Sequence, residues 1–282
     1  MATTPFVTVD WLKARIEAPD LVVLDGSWYL PAQARDAAAE YRAGHIPGAI
    51  RFDIDAMSDE TSGLPHMLPR PEVFASRMRA LGIGDGAHIV VYDGMGLFSA
   101  PRVRWMLQVF GVRDVVLLEG GFPAWVAAGG AVEDGEGRTR TRRHFTARLD
   151  NGAVADAQDV ARALESGSAQ VVDARSGPRF RGEEAEPRPG VRPGHMPGAR
   201  NVHYSALQTE GRLKDSEALR AVFAENGVDP DRPVVTTCGS GVTAAIVGLA
   251  LETLGRPPRA LYDGSWSEWG SDPARPVATG PA

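Results

Sequence analysis

The single cysteine of the 282-residue chain, Cys238, stands in a position that favours a reactive thiol. A β-branched run, Val234–Thr237, precedes it, and an apolar run from Val242 to Leu254 follows. This pattern predicts a strand, a tight loop and a helix, with the sulfur facing the helix N-terminus. Backbone N–H groups and the helix dipole there stabilise an anion, and so favour the nucleophilic thiolate. We therefore interpret Cys238 as a nucleophile and not as a buried core cysteine.

The loop after the cysteine limits the classes of cysteine enzyme to which the chain could belong. Gly239 and Gly241 let the backbone curl round the sulfur and point its amides inward. A cysteine phosphatase needs an arginine just after this loop, where Ala244 stands, and a thioredoxin-type site needs a second cysteine. The sequence shows no distinctive Cys/His/Asn pattern of a cysteine protease, although the fold could still bring a histidine next to the cysteine. These comparisons favour a thiolate that carries a group on its own sulfur.

The composition is that of a globular protein. A 282-residue chain with 43% hydrophobic residues can bury one large or two medium cores. The net charge of −6 gives no electrostatic reason to expect nucleic acid. The N-terminus lacks the features of a signal peptide, no apolar run approaches a membrane span, and one cysteine cannot form an internal disulfide. We expect a soluble, cytoplasmic protein with neither nucleic acid nor membrane as a partner.

The second half of the chain repeats the first. Four blocks recur in the same order, at an offset that drifts from about 150 to about 144 residues. The matched blocks are Val22–Asp25 with Val171–Asp173, Ala43–Ala49 with Pro193–Ala199, Val90–Asp93 with Val235–Cys238, and Gly120–Trp125 with Gly264–Trp269. We interpret this as a duplication, with domains at 1–135 and 156–282. The intervening 136–155, which includes Arg138, Arg140, Arg142 and Arg143, is interpreted as a solvated linker and not as a basic patch.

Each half alternates apolar runs with amphipathic stretches. In the first half, the predicted strands are Val22–Asp25, Ile89–Asp93 and Val115–Leu118, and the predicted helices are Val9–Ile16, Arg70–Leu81 and Pro101–Phe110. This favours an α/β fold in which each domain has a mostly parallel sheet flanked by helices, with sites at the strands' carboxyl ends. Cys238 and Asp93 fall at equivalent places there, so only the second half can do thiol chemistry. The first half is expected to be catalytically inactive and to form a wall of a cleft between the domains.

The duplicated halves, their Gly-His-x-Pro-Gly blocks and the Cys-Gly-Ser-Gly-Val-Thr loop resemble the tandem rhodanese-domain sulfurtransferases over almost the whole chain. Within that family the loop resembles the 3-mercaptopyruvate branch, as does the block Asp263–Trp266 with Glu268 and Trp269. The thiosulfate branch typically carries Arg and Lys directly after the cysteine. Gly239 and Ser240 occupy those positions here, which favours a less charged group near the sulfur.

If the sulfur donor is a 2-oxo acid, the enzyme must bind its carboxylate and keto oxygens with groups that donate two hydrogen bonds side by side. Arginine has that geometry. The resemblance implies that Arg179 and Arg188 bind the donor. Pro178 interrupts the family's usual spacing, so Arg175 and Arg181 are the fallback candidates. The backbone amides of the loop are expected to stabilise the anion of the transferred sulfur. We assign these loop positions to the binding site: Gly239, Gly241, Val242 and Thr243.

Proton handling is the next requirement of the reaction. The resemblance implies a relay of Ser240 with a histidine and an aspartate from the first half, and the matching residues are His66 and Asp55. His45 and His195 recur in both halves, including the half without a cysteine. We therefore expect them to have a structural role in the Gly-His-x-Pro-Gly turn and leave them out of the site.

The resulting expectation is a sulfurtransferase that moves sulfur from 3-mercaptopyruvate through a Cys238 persulfide to a thiol, a thioredoxin-like protein or cyanide, with release of pyruvate. No metal-ligand spacing and no cofactor fingerprint is visible. Two alternatives stay open. One is a thiosulfate:cyanide sulfurtransferase with an unusual loop, and the other is a non-catalytic rhodanese-like module that binds a partner protein.

Overall fold

The structure is a computed structural model that describes residues 4–137 and 140–282. Residues 1–3, which begin the predicted first domain, and Arg138, in the predicted linker, lie outside the described residues. The chain forms two compact units. Unit 1 consists of Met1–Asp59, Leu68–Asp150 and Glu210–Arg212, and unit 2 of Glu60–Met67, Asn151–Thr209 and Leu213–Ala282. Each unit therefore includes a short segment that lies within the other half of the sequence.

Unit 1 contains a five-stranded parallel sheet in the order β1-β5-β4-β2-β3. Its central strands are buried on both faces, which explains why they read as continuous apolar runs. The strands are β1 (Phe6–Val7), β2 (Leu21–Asp25), β3 (Ile50–Arg51), β4 (His88–Tyr92) and β5 (Val115–Leu118). The helices are α1 (Val9–Lys13), α2 (Ala37–Ala43), α3 (Ile54–Met57), α4 (Pro71–Ala80), α5 (Ala100–Val109) and α6 (Gly121–Ala127).

Unit 2 repeats this topology, with a parallel sheet in the order β6-β12-β11-β7-β8. Its sheet strands are β6 (Val154–Ala155), β7 (Gln170–Asp173), β8 (Arg200–Asn201), β11 (Val234–Thr237) and β12 (Ala260–Tyr262). The short strands β9 (Gln208–Thr209) and β10 (Arg212–Leu213) form a separate two-stranded ribbon. The helices are α7 (Ala157–Ser166), α8 (Gly177–Arg181), α9 (Ser216–Glu225), α10 (Ala244–Thr253) and α11 (Ser265–Trp269). The predicted α/β fold with a duplicated parallel sheet is confirmed.

The predicted elements of the first half lie within one or two residues of those observed, with one exception. The helix predicted over Val9–Ile16 ends at Lys13. The N–H of Arg15 then bonds the carbonyl of Leu12, three residues back, so the chain tightens into a turn. None of the helices that the structure describes is long and apolar enough to cross a membrane.

The two sheets place the two key side chains in the same way. Asp93 directly follows β4 and Cys238 directly follows β11, and each of these strands lies at the centre of its sheet. Each loop leads into a helix, α5 in unit 1 and α10 in unit 2. From Ala244 to Leu251 helix α10 is buried on all sides, which holds the loop in front of it rigidly. The fold thus presents one carboxylate and one thiol to a helix N-terminus.

Candidate active site

The Cys238 loop turns one backbone N–H towards its sulfur, that of Gly241. Cys238 is 2% exposed, and its Sγ accepts the N–H of Gly241 at 3.1 Å. Gly241 has a φ of +80°, a conformation in which a side chain would be strained. From the far side, the carbonyl of Cys238 accepts the N–H of Trp266 at 2.9 Å, and the carbonyl of Gly239 accepts the Ser267 hydroxyl at 2.6 Å. Helix α11 therefore holds the loop from one side, and the N–H of Gly241 donates to the sulfur.

The equivalent loop of unit 1 binds a carboxylate, that of Asp93, through its backbone N–H groups. The Asp93 side chain is fully buried, and its two oxygens accept four backbone N–H groups. The donors are Met95 at 2.9 Å, Phe98 at 2.7 Å, Ser99 at 3.0 Å and Ala100 at 2.9 Å. The loop of unit 1 is therefore an anion cage built from backbone amides.

Ser240 and His66 lie together within unit 2, although 174 residues separate them. His66 Nδ1 is 3.0 Å from the Ser240 hydroxyl oxygen and 3.2 Å from the Ser240 carbonyl oxygen, and the ring is 5% exposed. With Nδ1 unprotonated, the ring accepts a hydrogen bond from the Ser240 hydroxyl. With Nδ1 protonated, it donates a hydrogen bond to the Ser240 carbonyl oxygen. His66 has a φ of +60°, unusual for a residue with a side chain and a mark of a tightly held segment. The pair has the geometry of a proton-transfer couple.

Asp55 lies in unit 1, on the short helix α3. Its carboxylate accepts the indole N–H of Trp28 at 3.1 Å, and its own backbone N–H bonds the carboxylate of Asp53, the N-cap of α3. Its partnership with His66 stays a prediction.

Arg179 is the arginine that reaches the loop. A Cβ atom built on Gly239 would lie 3.1 Å from its Nη2. The guanidinium is held there by Glu186, whose carboxylate accepts from Nε at 3.2 Å and from Nη2. The Glu186 side chain is 4% exposed and that of Arg179 19% exposed, so this ion pair is largely shielded from water. Arg179 can therefore meet the negative end of a molecule bound at Cys238.

Pro178, which broke the expected spacing, has a simple structural reason. It occupies the first turn of α8, where its missing N–H has no helical acceptor to lose. Arg175 is buried against Asp173, Glu186 and the ring of Trp266, so it supports the site from within. Arg181 pairs with Glu183 in a more exposed place. Of the four arginines, Arg179 approaches the loop and Arg188 lies half-buried two residues beyond Glu186.

Two residues near the site were not among the candidates. Glu186 joins Arg175 to Arg179, and the sequence signal that could have found it is a glutamate that follows two arginines in a polar loop after a strand. His203 is half-buried, and its pKa is lowered by burial and by the neighbouring charge of Arg179. Its Nδ1 lies 2.6 Å from the hydroxyl of Ser205. Sequence gives no sign that His203 comes near Arg179.

The recurring histidines have the same environment in both units. The Nδ1 of His45 bonds the carbonyl of Tyr41 at 2.9 Å, and that of His195 bonds the carbonyl of Phe180 at 2.9 Å. Each imidazole stacks on the ring of the same residue, at 4.0 and 3.9 Å. This geometry fits the structural role expected of them. Among residues 4–137 and 140–282, no group of three or more His, Cys, Asp or Glu side chains could hold a metal ion.

Comparison with known proteins agrees with this geometry. The family model for the rhodanese-like domain matches the chain twice, at residues 8–128 and 156–272. The 3-mercaptopyruvate sulfurtransferase of Escherichia coli K12 is 49% identical over 98% of this chain and 99% of its own length. Thiosulfate/3-mercaptopyruvate sulfurtransferase 1 of Arabidopsis thaliana is 39% identical over 97% of this chain and 78% of its own.

A solved structure gives the same result in three dimensions. The crystal structure of SseA from Escherichia coli, described as a 3-mercaptopyruvate sulfotransferase with the rhodanese fold, superposes with a TM-score of 0.86 at 47% identity. The match covers 94% of this chain and the whole of that one. Both halves of the chain thus carry the family's domain, and the second of them carries the thiol. The chain belongs to the tandem rhodanese-domain sulfurtransferases, as its sequence predicted.

Proposed function

We propose that this enzyme transfers sulfur from 3-mercaptopyruvate, through a persulfide on Cys238, to a thiophilic acceptor, and releases pyruvate. The observation that carries the proposal is the arrangement of charge round the thiol. The Cys238 loop itself has no charged side chain, and the guanidinium of Arg179, which is paired with Glu186, lies beside Gly239 with its Nη1 free of that pair. A charge offset from the sulfur suits a donor whose carboxylate is separated from its sulfur by carbon atoms.

The first stage forms the persulfide. The Cys238 thiolate attacks the sulfur of 3-mercaptopyruvate, an S–S bond forms, and the C–S bond breaks. The electron pair of the C–S bond stays on carbon as the enolate of pyruvate, which takes up a proton to become pyruvate. Arg179, with Arg188, is proposed to hold the carboxylate and keto oxygen of the donor. Ser240, paired with His66 at 3.0 Å, is proposed to supply the proton, with Asp55 as the third member of the relay.

The second stage discharges the persulfide. A thiolate, a reduced thioredoxin-like protein or cyanide attacks the outer sulfur, and the Cys238 thiolate leaves. The amides of the loop from Gly239 to Thr243 are proposed to stabilise the persulfide anion and the departing thiolate, as the cage of unit 1 stabilises the Asp93 carboxylate. Two features of the protein support this step, namely the N–H of Gly241 on Sγ and the burial of the thiol.

Mass spectrometry of the intact protein tests the proposal directly. Exposure to 3-mercaptopyruvate should add the mass of one sulfur atom, and a reductant or cyanide should remove it. Absence of the adduct would favour the alternative of a non-catalytic binding module. The alternative of thiosulfate as the donor is tested by comparing kcat/KM for the two donors on one sample, and a large excess for thiosulfate would refute the donor assignment. Cytoplasmic location, and a surface that binds neither membrane nor nucleic acid, stay predictions from the sequence.

A further inference from the structure

A buried arginine of unit 2 has no counterpart in unit 1. Arg175 is 2% exposed, and its Nε and Nη2 donate to Asp173 while its Nη1 donates to Glu186 at 2.7 Å. Its Nη2 also donates to the carbonyl of Gly194 at 2.8 Å, and the guanidinium lies 4.4 Å from the ring centre of Trp266. Two carboxylates, a carbonyl and an aromatic face thus surround one guanidinium.

Unit 1 has a cavity of about 420 Å³ whose lining includes the repeat equivalents of three of these partners, Asp173, Gly194 and Trp266. The lining residues Asp25, Ser27, Gly44 and Phe122 correspond in order to Asp173, Arg175, Gly194 and Trp266. Serine stands at the position of the arginine, so the place that a guanidinium fills in unit 2 is a pocket in unit 1.

One carboxylate of the pocket, that of Asp25, forms no close ion pair among the described residues. Arg35 pairs with Glu40 through its Nε and Nη2, and its guanidinium lies 3.8 Å from the ring centre of Tyr29, so these two charges cancel. No described cation lies within ion-pair distance of Asp25. Its carboxylate accepts the N–H of Ser27 at 2.9 Å and is 4% exposed. Burial raises the pKa of Asp25, and the hydrogen bonds from Ser27 and Tyr92 and the charge of Arg51 offset only part of this rise.

The side of the pocket away from Asp25 is apolar. Val126 and Val132 are 48% and 50% exposed, and they are the large hydrophobic side chains that are exposed among the described residues. Both line this pocket, together with Phe122. A ligand with an apolar chain attached to its cationic group would cover them.

We propose that this pocket of unit 1 binds a small alkylguanidinium compound. The guanidinium takes the place that Arg175 fills in unit 2, pairs with Asp25 and lies near the ring of Phe122. The alkyl chain runs over Val126 and Val132. A planar cation with five donors matches this set of acceptors better than a compact ammonium does.

Calorimetric titration with a matched pair of ligands tests this. n-Butylguanidinium should bind once per chain and raise the unfolding temperature. n-Butylurea, which has nearly the same shape without the charge, should bind at least about tenfold more weakly, the difference that one charge-assisted contact provides. Equal affinity for the two compounds, or no binding of n-butylguanidinium, would overturn the proposal.

Two variants locate the site. Ser27→Arg supplies the guanidinium from within, so it should abolish n-butylguanidinium binding and raise the unfolding temperature of the free protein. Asp25→Asn keeps the space and removes the charge, so it should weaken binding at least about tenfold. Unchanged binding in both variants would place the ligand elsewhere and refute the site. If Ser27→Arg does not fold, the Asp25→Asn variant and the comparison of the two ligands on the wild-type protein still test the proposal.

Discussion

Replacement of Arg179 is the sharpest test of how the donor is held. Glu186 already engages Nε and Nη2, which leaves Nη1 for the donor, so one charge-assisted contact is lost in Arg179→Ala. Such a contact contributes about 1.5–3 kcal/mol. The Arg179 side chain is 19% exposed, so little of this is screened by water, and kcat/KM for 3-mercaptopyruvate should fall roughly ten- to a hundredfold. Arg179→Lys keeps the charge but cannot span both oxygens of Glu186, so it should recover part of the loss.

Rapid-mixing measurements of the two half-reactions give the assay. Because the donor carries the 2-oxo acid, formation of the persulfide should slow, while its discharge to cyanide should change much less. Arg181→Ala is the matched control, since Arg181 lies on the same helix and pairs with Glu183. Equal damage to both half-reactions, or an equal loss in the Arg181 control, would refute the reasoning and indicate a disturbed loop.

Four further changes follow from the same geometry. Cys238→Ser should abolish transfer and the sulfur adduct in intact mass, with the unfolding temperature nearly unchanged, because oxygen cannot carry the persulfide; residual turnover would disprove the mechanism. His66→Asn should slow persulfide formation by roughly 10²–10⁴-fold, measured by pyruvate release, if the ring moves a proton, whereas a merely structural ring would leave the pH profile unaltered. Gly239→Arg with Ser240→Lys should raise the ratio of thiosulfate to mercaptopyruvate turnover at least about tenfold, since it adds charge beside the sulfur; an unchanged ratio would show that loop charge does not set the donor. Asp93→Ala should destabilise the protein by about 3 kcal/mol or more in urea unfolding, because it leaves buried N–H groups without an acceptor; a loss below about 1 kcal/mol would contradict the amide cage.

The fold could be predicted closely because its signals are local. Strands buried on both faces read as short apolar runs, and β2, β4 and β5 lie within a residue of the runs that predicted them. Helix ends were less certain, as in α1, because turns with i−3 bonds continue the helical spacing of apolar residues.

The site could be predicted only in part. Cys238 and its glycines carry a local signal, since a tight loop between strand and helix needs those residue types. His66 became a candidate through the family resemblance alone, because segment 60–67 joins unit 2 across a long stretch of sequence. The support of Arg179 by Glu186 could not be foreseen, since it depends on the path of a polar loop.

Asp93 and Cys238 stand at equivalent positions but leave their loops with different capacities to bind an anion. In unit 1 the carboxylate is short and branched, so its two oxygens satisfy four amides, and the loop has no capacity for another anion. In unit 2 the unbranched thiol takes one N–H, from Gly241, among the residues that the structure describes. We propose that the outer sulfur of the Cys238 persulfide takes the place of the second carboxylate oxygen and accepts further amides of this loop. On this proposal the loop of unit 2 stabilises the charged intermediate between the two half-reactions more than it stabilises the resting thiol.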